Sequence, residues 1–187
     1  MQDTDVLELE IRRRIYNHIL KCPGLHEREL SRVLTIALST LDYHLHYLEC
    51  RGMITGRSDG RYARYYAAEG IGVKDKDVLA ILRQQGTRRV IMFLLLHPHS
   101  THRDICNHLG VSLSTTSFYL SKLEKLDIIL RVHSMKKTVF FVKDPEHVSD
   151  LLITYRKTFV DESIDRFIEL WMGLDPERTQ KSQKKQE

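Results

Sequence analysis

Long hydrophobic runs, paired cysteines and a signal peptide are all missing from this sequence. The longest apolar run, Val90–Leu96, is far too short to cross a bilayer and is typical of a buried helix. The three scattered cysteines, Cys22, Cys50 and Cys106, do not fit a secreted disulfide scaffold and favour reduced thiols inside a cell. The acidic N-terminus has neither the basic nor the apolar block of a signal peptide. We therefore expect a cytoplasmic protein with no membrane partner.

Sequence signatures of catalysis are also missing. The chain has no glycine-rich phosphate loop, no nucleophile elbow and no His-Glu-x-x-His motif. Its acidic residues are spread along the surfaces of the predicted helices instead of being grouped. We therefore expect no enzymatic activity and no cofactor.

Basic residues are in modest excess, and they are unevenly distributed. The formal net charge is +4, and most of the basic excess falls within residues 69–144. Such a distribution permits a nucleic acid partner without requiring one.

An internal repeat organises the chain. When the sequence is shifted by 75 positions it matches itself without a gap, with Arg13-Arg14 falling on Arg88-Arg89 and Pro23 on Pro98. Leu48-Glu49 falls on Leu123-Glu124 in the same way. Most of the repeated positions are apolar, so we interpret the repeat as one fold used twice.

Each repeat unit has the pattern of three helices followed by a β-hairpin, which is the winged-helix order. The first helix of each unit ends near a proline, and Thr101 with Asp104 forms a capping box at the start of the second helix of unit two. In unit one, Asp59-Gly60 marks the hairpin turn. The predicted fold class is mainly α with small β-hairpin wings (α+β), built as two tandem winged-helix domains plus a C-terminal amphipathic helix.

The predicted domain boundaries follow from the repeat. Residues 1–70 form the first domain and residues 71–144 the second, with a linker near Glu69–Asp77. Residues 145–174 form a C-terminal helix, and the polar residues 175–187 form a disordered tail.

The third helix of each unit is predicted to place leucines inward and polar or aromatic side chains outward. At about 100° per residue, Leu41, Leu45 and Leu48 share one face. The outward set of unit one is Ser39, Thr40, Tyr43, His46, Tyr47 and Cys50, and that of unit two is Ser114, Thr115, Phe118, Ser121, Lys122 and Lys125. Hydrogen-bonding side chains with apolar edges suit a DNA major groove, although solvated surface residues have the same composition.

The two predicted hairpins are basic. Arg57, Arg61 and Arg64 bracket the first. Arg131, Lys136 and Lys137 bracket the second. Cationic side chains on a hairpin can neutralise phosphates or enter a minor groove.

The segment from Ile36 to Ile54 resembles the ArsR/MarR-like winged-helix regulators, in its Leu38-Ser39, His44-Leu45, Leu48-Glu49 and Gly52-Met53-Ile54. The segment Gly60–Tyr66 resembles their wing, and two such units in one chain are similar to tandem regulators common in archaea. The resemblance covers about residues 8–143 in two copies. It implies DNA-reading third helices, and by position it adds His44 in unit one and Ser117 in unit two to the candidates. Unit two departs from the pattern where Tyr119 replaces the histidine and Asp127 the glycine, so the motif favours DNA reading by unit one.

The resulting candidate DNA-binding residues combine both helices and both hairpins. They are Ser39, Thr40, Tyr43, His44, His46, Tyr47, Arg57, Arg61, Arg64, Ser114, Thr115, Ser117, Phe118, Ser121, Lys122, Arg131, Lys136 and Lys137.

A histidine-rich segment raises a metal alternative. His97, His99, His102, Cys106 and His108 lie close together in sequence, and His102 and Cys106 have the spacing of one helical face. No Cys-x-x-Cys pair accompanies them, so an exposed turn and helix surface is the simpler interpretation and we expect no metal site. A metal-responsive ArsR-like sensor remains an alternative function.

The C-terminal segment carries an apolar stripe that needs a partner surface. Val148, Leu152, Tyr155, Phe159, Phe167 and Trp171 recur at helical spacing. The stripe can fold back on its own domain or pair with a second copy, and its length favours a homodimer, which would match a palindromic DNA site.

Two functions follow from these patterns. The first is sequence-specific binding of double-stranded DNA by a transcription regulator. The alternative is a winged-helix scaffold that binds a protein of the transcription machinery, with Tyr47 and Phe118 as its anchors.

Overall fold

The computed structural model describes residues 9–59, 62–134, 137–159 and 163–174. The chain divides into two compact units, one ending at Ala80 and the other beginning at Ile81.

Unit one contains three helices, a three-stranded sheet and the start of a fourth helix. The elements are α1 (Glu10–Lys21), β1 (Leu25–His26), α2 (Glu27–Leu34), α3 (Leu38–Cys50), β2 (Ile54–Asp59), β3 (Tyr62–Ala67) and α4 (Val73–Leu82), and the division between the units falls within α4. The strands pair antiparallel in the order β1-β3-β2. Leucines and isoleucines of all three helices, with Met53, Ile54 and Tyr65 of the hairpin region, form one core.

Unit two repeats this arrangement and then adds a C-terminal segment. Its elements are α5 (Gln85–Leu96), β4 (Ser100–Thr101), α6 (His102–Leu109), α7 (Leu113–Lys125), β5 (Ile129–Ser134), β6 (Lys137–Val142), α8 (Pro145–Thr154), a 3-10 turn (Arg156–Thr158) and α9 (Ser163–Gly173). The strand order is β4-β6-β5, the equivalent of that in unit one. The predicted class, mainly α with small antiparallel hairpins, is confirmed.

The backbone of the two units is repeated at the level of single residues. Strand β1 pairs Leu25 with Tyr65, and strand β4 pairs Ser100 with Phe140, at positions related by the same shift of 75. The left-handed positions are repeated as well: Gly24 with His99, Thr35 with Gly110, and Gly52 with Asp127 all have positive φ. Asp127 therefore adopts the backbone of the glycine that it replaces, and this departure from the sequence pattern does not change the fold.

Repeated side chains also form equivalent hydrogen bonds in both units. Arg14 donates from Nη2 to the carbonyl of Leu34 (3.1 Å), and Arg89 donates from Nη2 to that of Leu109 (3.3 Å). Both bonds satisfy a carbonyl at the last residue of a second helix, where no intrahelical donor remains. The arginine is therefore repeated because it satisfies the last carbonyl of the second helix in each unit.

The second helix of each unit begins with a capping box. The predicted pair Thr101 and Asp104 is confirmed, with the Thr101 hydroxyl accepting from the Asp104 N–H and the Asp104 carboxylate accepting from the Thr101 N–H. Unit one uses His26 and Glu29 at the equivalent positions. The bonds from Thr101 lower the pKa of Asp104, because they stabilise its ionised form.

Two elements differ from the sequence-based expectation. The two-residue strands β1 and β4 were not predicted, because two residues carry no periodicity. The predicted linker Glu69–Asp77 is largely wrong, since α4 begins at Val73. This helix is tied to the first hairpin by the Tyr66 hydroxyl, which donates to the Lys76 carbonyl (3.0 Å), and by Lys76, which donates to Thr55 Oγ1 (3.0 Å).

The C-terminal segment forms two helices, α8 and α9, instead of the single predicted helix. Its apolar stripe is buried within unit two: Trp171 is 4% exposed, and Phe159 lies beside the guanidinium groups of Arg83 and Arg88. Of the two alternatives for the stripe, the structure shows that it folds back on its own unit, and the homodimer stays a prediction. The predicted tail, residues 175–187, lies outside the described residues.

Within the described ranges, none of the helices combines the length and the apolar character that a membrane span requires.

Candidate nucleic-acid interface

Helix α3 has one face in the core and one in solvent. Leu41, Leu45 and Leu48 are buried against the other helices of unit one. On the outer face Ser39, Thr40, Tyr43 and His46 are exposed, Tyr43 by 62%. The leucines fix the rotation of the helix, and that rotation determines which side chains face outward.

Helix α7 has the same division. Thr116, Leu120 and Leu123 are buried, and the Thr116 hydroxyl donates to the carbonyl of Ser112 (3.1 Å). The exposed side chains are Ser114, Ser117, Phe118 and Ser121, and Thr115 is half-buried. Ser112 caps the helix by accepting from the N–H of Thr115 (3.1 Å).

An exposed aromatic side chain stands at the same position of both third helices. Phe118 is 64% exposed, and it is the repeat equivalent of Tyr43. Large apolar side chains exposed at the same place in both units form a duplicated surface feature, which a solvated helix does not need.

His44 does not belong to this outer face, which corrects the inference from the resemblance. It is 7% exposed, and its Nδ1 has no hydrogen-bond partner among the described residues. Burial, together with the positive charge of Arg12, lowers the pKa of His44. A buried imidazole is part of the packing of unit one, and it is not among the side chains that the outer face of α3 presents.

The equivalent of His44 in unit two is Tyr119, whose larger ring needs more space. A Cβ placed on Gly86 of α5 would lie 2.3 Å from the Tyr119 ring. Unit one has Ile11 at the position of Gly86. The larger tyrosine ring is therefore accommodated behind α7 because α5 has glycine where α1 has isoleucine. The outer face of α7 is unchanged.

Two other candidates are held against their own unit. The Tyr47 ring is half-buried under the guanidinium of Arg12, 3.6 Å from the ring centroid. Lys122, its equivalent, is half-buried and donates to Gln84 Oε1 (2.9 Å). Tyr47 is consequently poorly placed to anchor a partner protein.

The first hairpin exposes fewer basic side chains to a partner than the sequence suggests. Arg64 is 8% exposed and donates from Nη1 to the carbonyl of Gly24 (2.8 Å), so its prediction as a DNA contact is wrong. The left-handed Gly24 leaves that carbonyl pointing into the unit, and the guanidinium satisfies it. Arg57 is paired with Asp77 (3.0 Å). Arg61 lies outside the described residues.

The second hairpin keeps more of its charge at the surface. Lys137 is exposed, and Arg131 is exposed while paired with Glu124 (2.7 Å). The equivalent of Glu124, Glu49, accepts from the backbone N–H of Gly56 (2.7 Å), so the repeated glutamate holds the hairpin in both units. Lys136 lies outside the described residues.

The largest electrostatic difference between the units lies where the second helix meets the third. In unit one Glu27 faces Asp42, and burial followed by repulsion from Asp42 raises the pKa of Glu27. In unit two the equivalent residues are His102 and Ser117, joined by a hydrogen bond of 2.9 Å. The outer surface of unit one is therefore acidic at a point where that of unit two is not.

Exposed basic residues on the second helices were missed by the sequence reasoning. Arg28 of α2 and its equivalent Arg103 of α6 are both exposed. The repeat alignment contained the signal, because it pairs Arg28 with Arg103 on an otherwise variable helix surface.

The histidine-rich segment does not converge. Cys106 donates to the carbonyl of Val111 (2.9 Å), His108 stacks on Phe93 (4.4 Å between ring centroids), and His102 bonds Ser117. Among the described residues, no group of three or more His, Cys, Asp or Glu side chains is placed to hold a metal ion.

Comparison with known families agrees with the duplicated geometry. A family model described as an N-terminal helix-turn-helix domain matches residues 9–79. A second, described as bacterial regulatory protein, arsR family, matches residues 85–130. The chain is a tandem winged helix-turn-helix protein. The two models divide this tandem protein close to the boundary between its compact units.

One curated relative of the tandem protein is an uncharacterized HTH-type transcriptional regulator from Methanocaldococcus jannaschii. The two are 32% identical over 144 residues, which cover 77% of this chain and 36% of the relative. The chain thus spans about a third of that relative's length. A crystal structure of a Corynebacterium diphtheriae protein is similar over 70% of this chain and 26% of its own, with 14% identity and a TM-score of 0.30, and at that score it carries no argument.

The packing of Tyr119 on Gly86 leads to a prediction about stability. Gly86→Ala should destabilise the tandem protein by about 2 kcal/mol, because the added methyl overlaps the half-buried Tyr119 ring, which must shift to admit it. Alanine normally stabilises a helix relative to glycine, so the expected sign is the reverse of the usual one. Urea denaturation monitored by circular dichroism measures the change.

Gly173→Ala is the matched control, since nothing lies within 4 Å of the added Cβ in α9. The double variant Gly86→Ala with Tyr119→His should recover part of the loss. Equal stability of Gly86→Ala and the wild type would contradict the packing described here.

Proposed function

We propose that this protein binds double-stranded DNA in a sequence-specific manner and regulates transcription through that binding. The observation that carries the proposal is the duplicated outer face of the third helices, where hydroxyl groups and one aromatic ring are exposed in both units. Such a helix fits the width of a major groove. The helix-turn-helix matches to both units support the proposal.

The side chains in the middle of each outer face are the ones that recognise bases. Tyr43 and Phe118 present an apolar ring edge suited to the methyl group of thymine. Ser114 and Ser117 of α7 offer hydroxyls to base edges or phosphates, as do Ser39 and Thr40 of α3. Because the two rings occupy equivalent positions, the two units should prefer related base steps.

Unit two should supply most of the affinity, in contrast to the expectation from the sequence motif. Its exposed cations Arg103, Lys125 and Lys137 surround a third helix that has no acidic partner at Ser117. Unit one has Asp42 at that place, and a carboxylate there repels phosphate. We therefore assign phosphate neutralisation chiefly to unit two.

The salt dependence of binding tests this assignment. Lys125 is exposed and forms no hydrogen bond or ion pair with any described residue. If it contacts a phosphate, Lys125→Gln should weaken binding and reduce the slope of log K against log salt by about 0.9. Fluorescence anisotropy with labelled duplex DNA at several salt concentrations measures both quantities.

Lys157→Gln is the matched control, because Lys157 is an exposed lysine of the 3-10 turn, away from the helix-turn-helix. It should leave the slope within error of the wild type. Absence of wild-type binding even at low salt would remove the proposal and favour the protein-scaffold alternative. Equal slopes for all three proteins would remove Lys125 from the interface.

Exchanging the equivalent residues Asp42 of unit one and Ser117 of unit two provides a second test. Ser117→Asp, which gives unit two the residue found in unit one, should weaken DNA binding roughly tenfold at low salt, because it places a carboxylate beside the phosphates. The reciprocal Asp42→Ser should strengthen binding or leave it unchanged. The same anisotropy titration reports both variants, and thermal denaturation checks that each is folded.

If Ser117→Asp binds like the wild type while changes at Asp42 alter the affinity several-fold, the main contact belongs to unit one and the assignment to unit two is wrong.

A further inference from the structure

One surface of unit two departs from the repeat in a concerted way. On the first helix of unit one the outward residues Asn17, His18 and Lys21 are polar. Their equivalents in α5 are Met92, Phe93 and Leu96. A duplicated surface that is polar in one copy and apolar in the other has acquired a separate role in the second copy.

Part of that role is to receive α9, but the fit is incomplete. Phe167 is buried on this side of unit two, while Leu170, on the same face of α9, is 53% exposed. Between α5, α6 and α9 a cavity of about 400 Å³ remains. Its apolar wall is formed by Met92, Phe93 and Phe167, with Leu96 and Leu170 at the edge. The cavity is partly open to solvent, so a ligand can enter it from the surface.

Among the described residues, the polar side chains at the cavity are all cationic or able to become so, apart from one serine. Arg89, Arg166, His97 and His108 line it, together with Ser163, and none of the described residues that line it is a carboxylate. The pKa of His108 is lowered first by burial and then by repulsion from Arg89 and His97. The described residues therefore give the cavity a cluster of basic side chains beside an apolar wall.

Aromatic rings define the shape of the wall. Phe93 stacks on His108, with 4.4 Å between ring centroids, and lies 4.9 Å from the ring of His97. Flat faces of this kind favour a planar apolar ligand. The volume is within the range of cavities that hold small organic molecules.

We propose that this cavity is a binding site for a small organic anion, a carboxylate attached to a planar apolar body. The body lies against Phe93 and Met92, and the carboxylate is held between Arg89 and Arg166. Arginine is suited to this task because its guanidinium donates two parallel hydrogen bonds to one carboxylate.

The position of Arg89 gives the site a connection to the helix-turn-helix. Its guanidinium already donates to the carbonyl of Leu109, the last residue of α6. A carboxylate bound to Arg89 therefore contacts the side chain that satisfies the last carbonyl of α6. Helix α6 is the helix that precedes the turn into α7. The binding site itself stands independently of the proposed DNA binding.

Binding of 2-naphthoate to the full chain tests the proposal, with the neutral 2-naphthamide as its matched ligand. Isothermal titration calorimetry should show saturable binding of one naphthoate with a Kd below about 1 mM, and at least roughly tenfold weaker binding of the amide. Arg166→Glu should weaken naphthoate binding by a factor of about ten or more, since it replaces a cation by an anion. Leu170→Trp should abolish binding by filling the cavity, and because both side chains are exposed, both variants should stay folded.

Arg32→Glu is the control, since it makes the same change in net charge on an exposed face of α2 in unit one. It should bind naphthoate like the wild type, and circular dichroism confirms the folding of each variant. The proposal is overturned if naphthoate shows no saturable binding, if the amide binds equally well, or if Arg166→Glu and Leu170→Trp both retain wild-type affinity. None of these measurements involves DNA, so a failure here is distinct from a failure of DNA binding.

Discussion

Burial of one row of side chains behind each third helix is the constraint on which the structure depends. Leu41, Leu45 and Leu48 in α3, and Thr116, Leu120 and Leu123 in α7, fix the rotation of the two helices. Because a helix that turns one face inward must turn the other outward, the same packing exposes Tyr43 and Phe118. The surface proposed to meet DNA is thus a consequence of the core.

Duplication preserved this constraint and let the surfaces diverge. The arginine bond to the end of the second helix and the left-handed backbone positions are the same in both units. The differences lie outside that shared core: an acidic pair in unit one against His102 and Ser117 in unit two, and a polar first helix against one that lines a cavity. Unit two therefore carries both the surface that we propose for phosphate contact and the candidate ligand site.

The fold could be predicted from the sequence to the extent that apolar periodicity and the repeat determine it. The helices, the two hairpins and the exposed positions of Tyr43, Phe118 and the serines follow from the spacing of the leucines. His44 and Arg64 could not be placed, because polar residue types are usually exposed. The burial of Arg64 is explained only by its hydrogen bond to the carbonyl of Gly24. The cavity beside α9 could not be anticipated either, since it depends on how residues far apart in the chain pack together.

The most direct test of the account is photo-crosslinking to duplex DNA from p-benzoylphenylalanine placed singly at three exposed positions: Tyr43, Phe118 and Leu174. The account predicts DNA adducts from the positions of Tyr43 and Phe118, with the stronger adduct from Phe118, and none from that of Leu174. If the protein binds DNA and only the Leu174 position crosslinks, the third helices are not the surface that reads DNA.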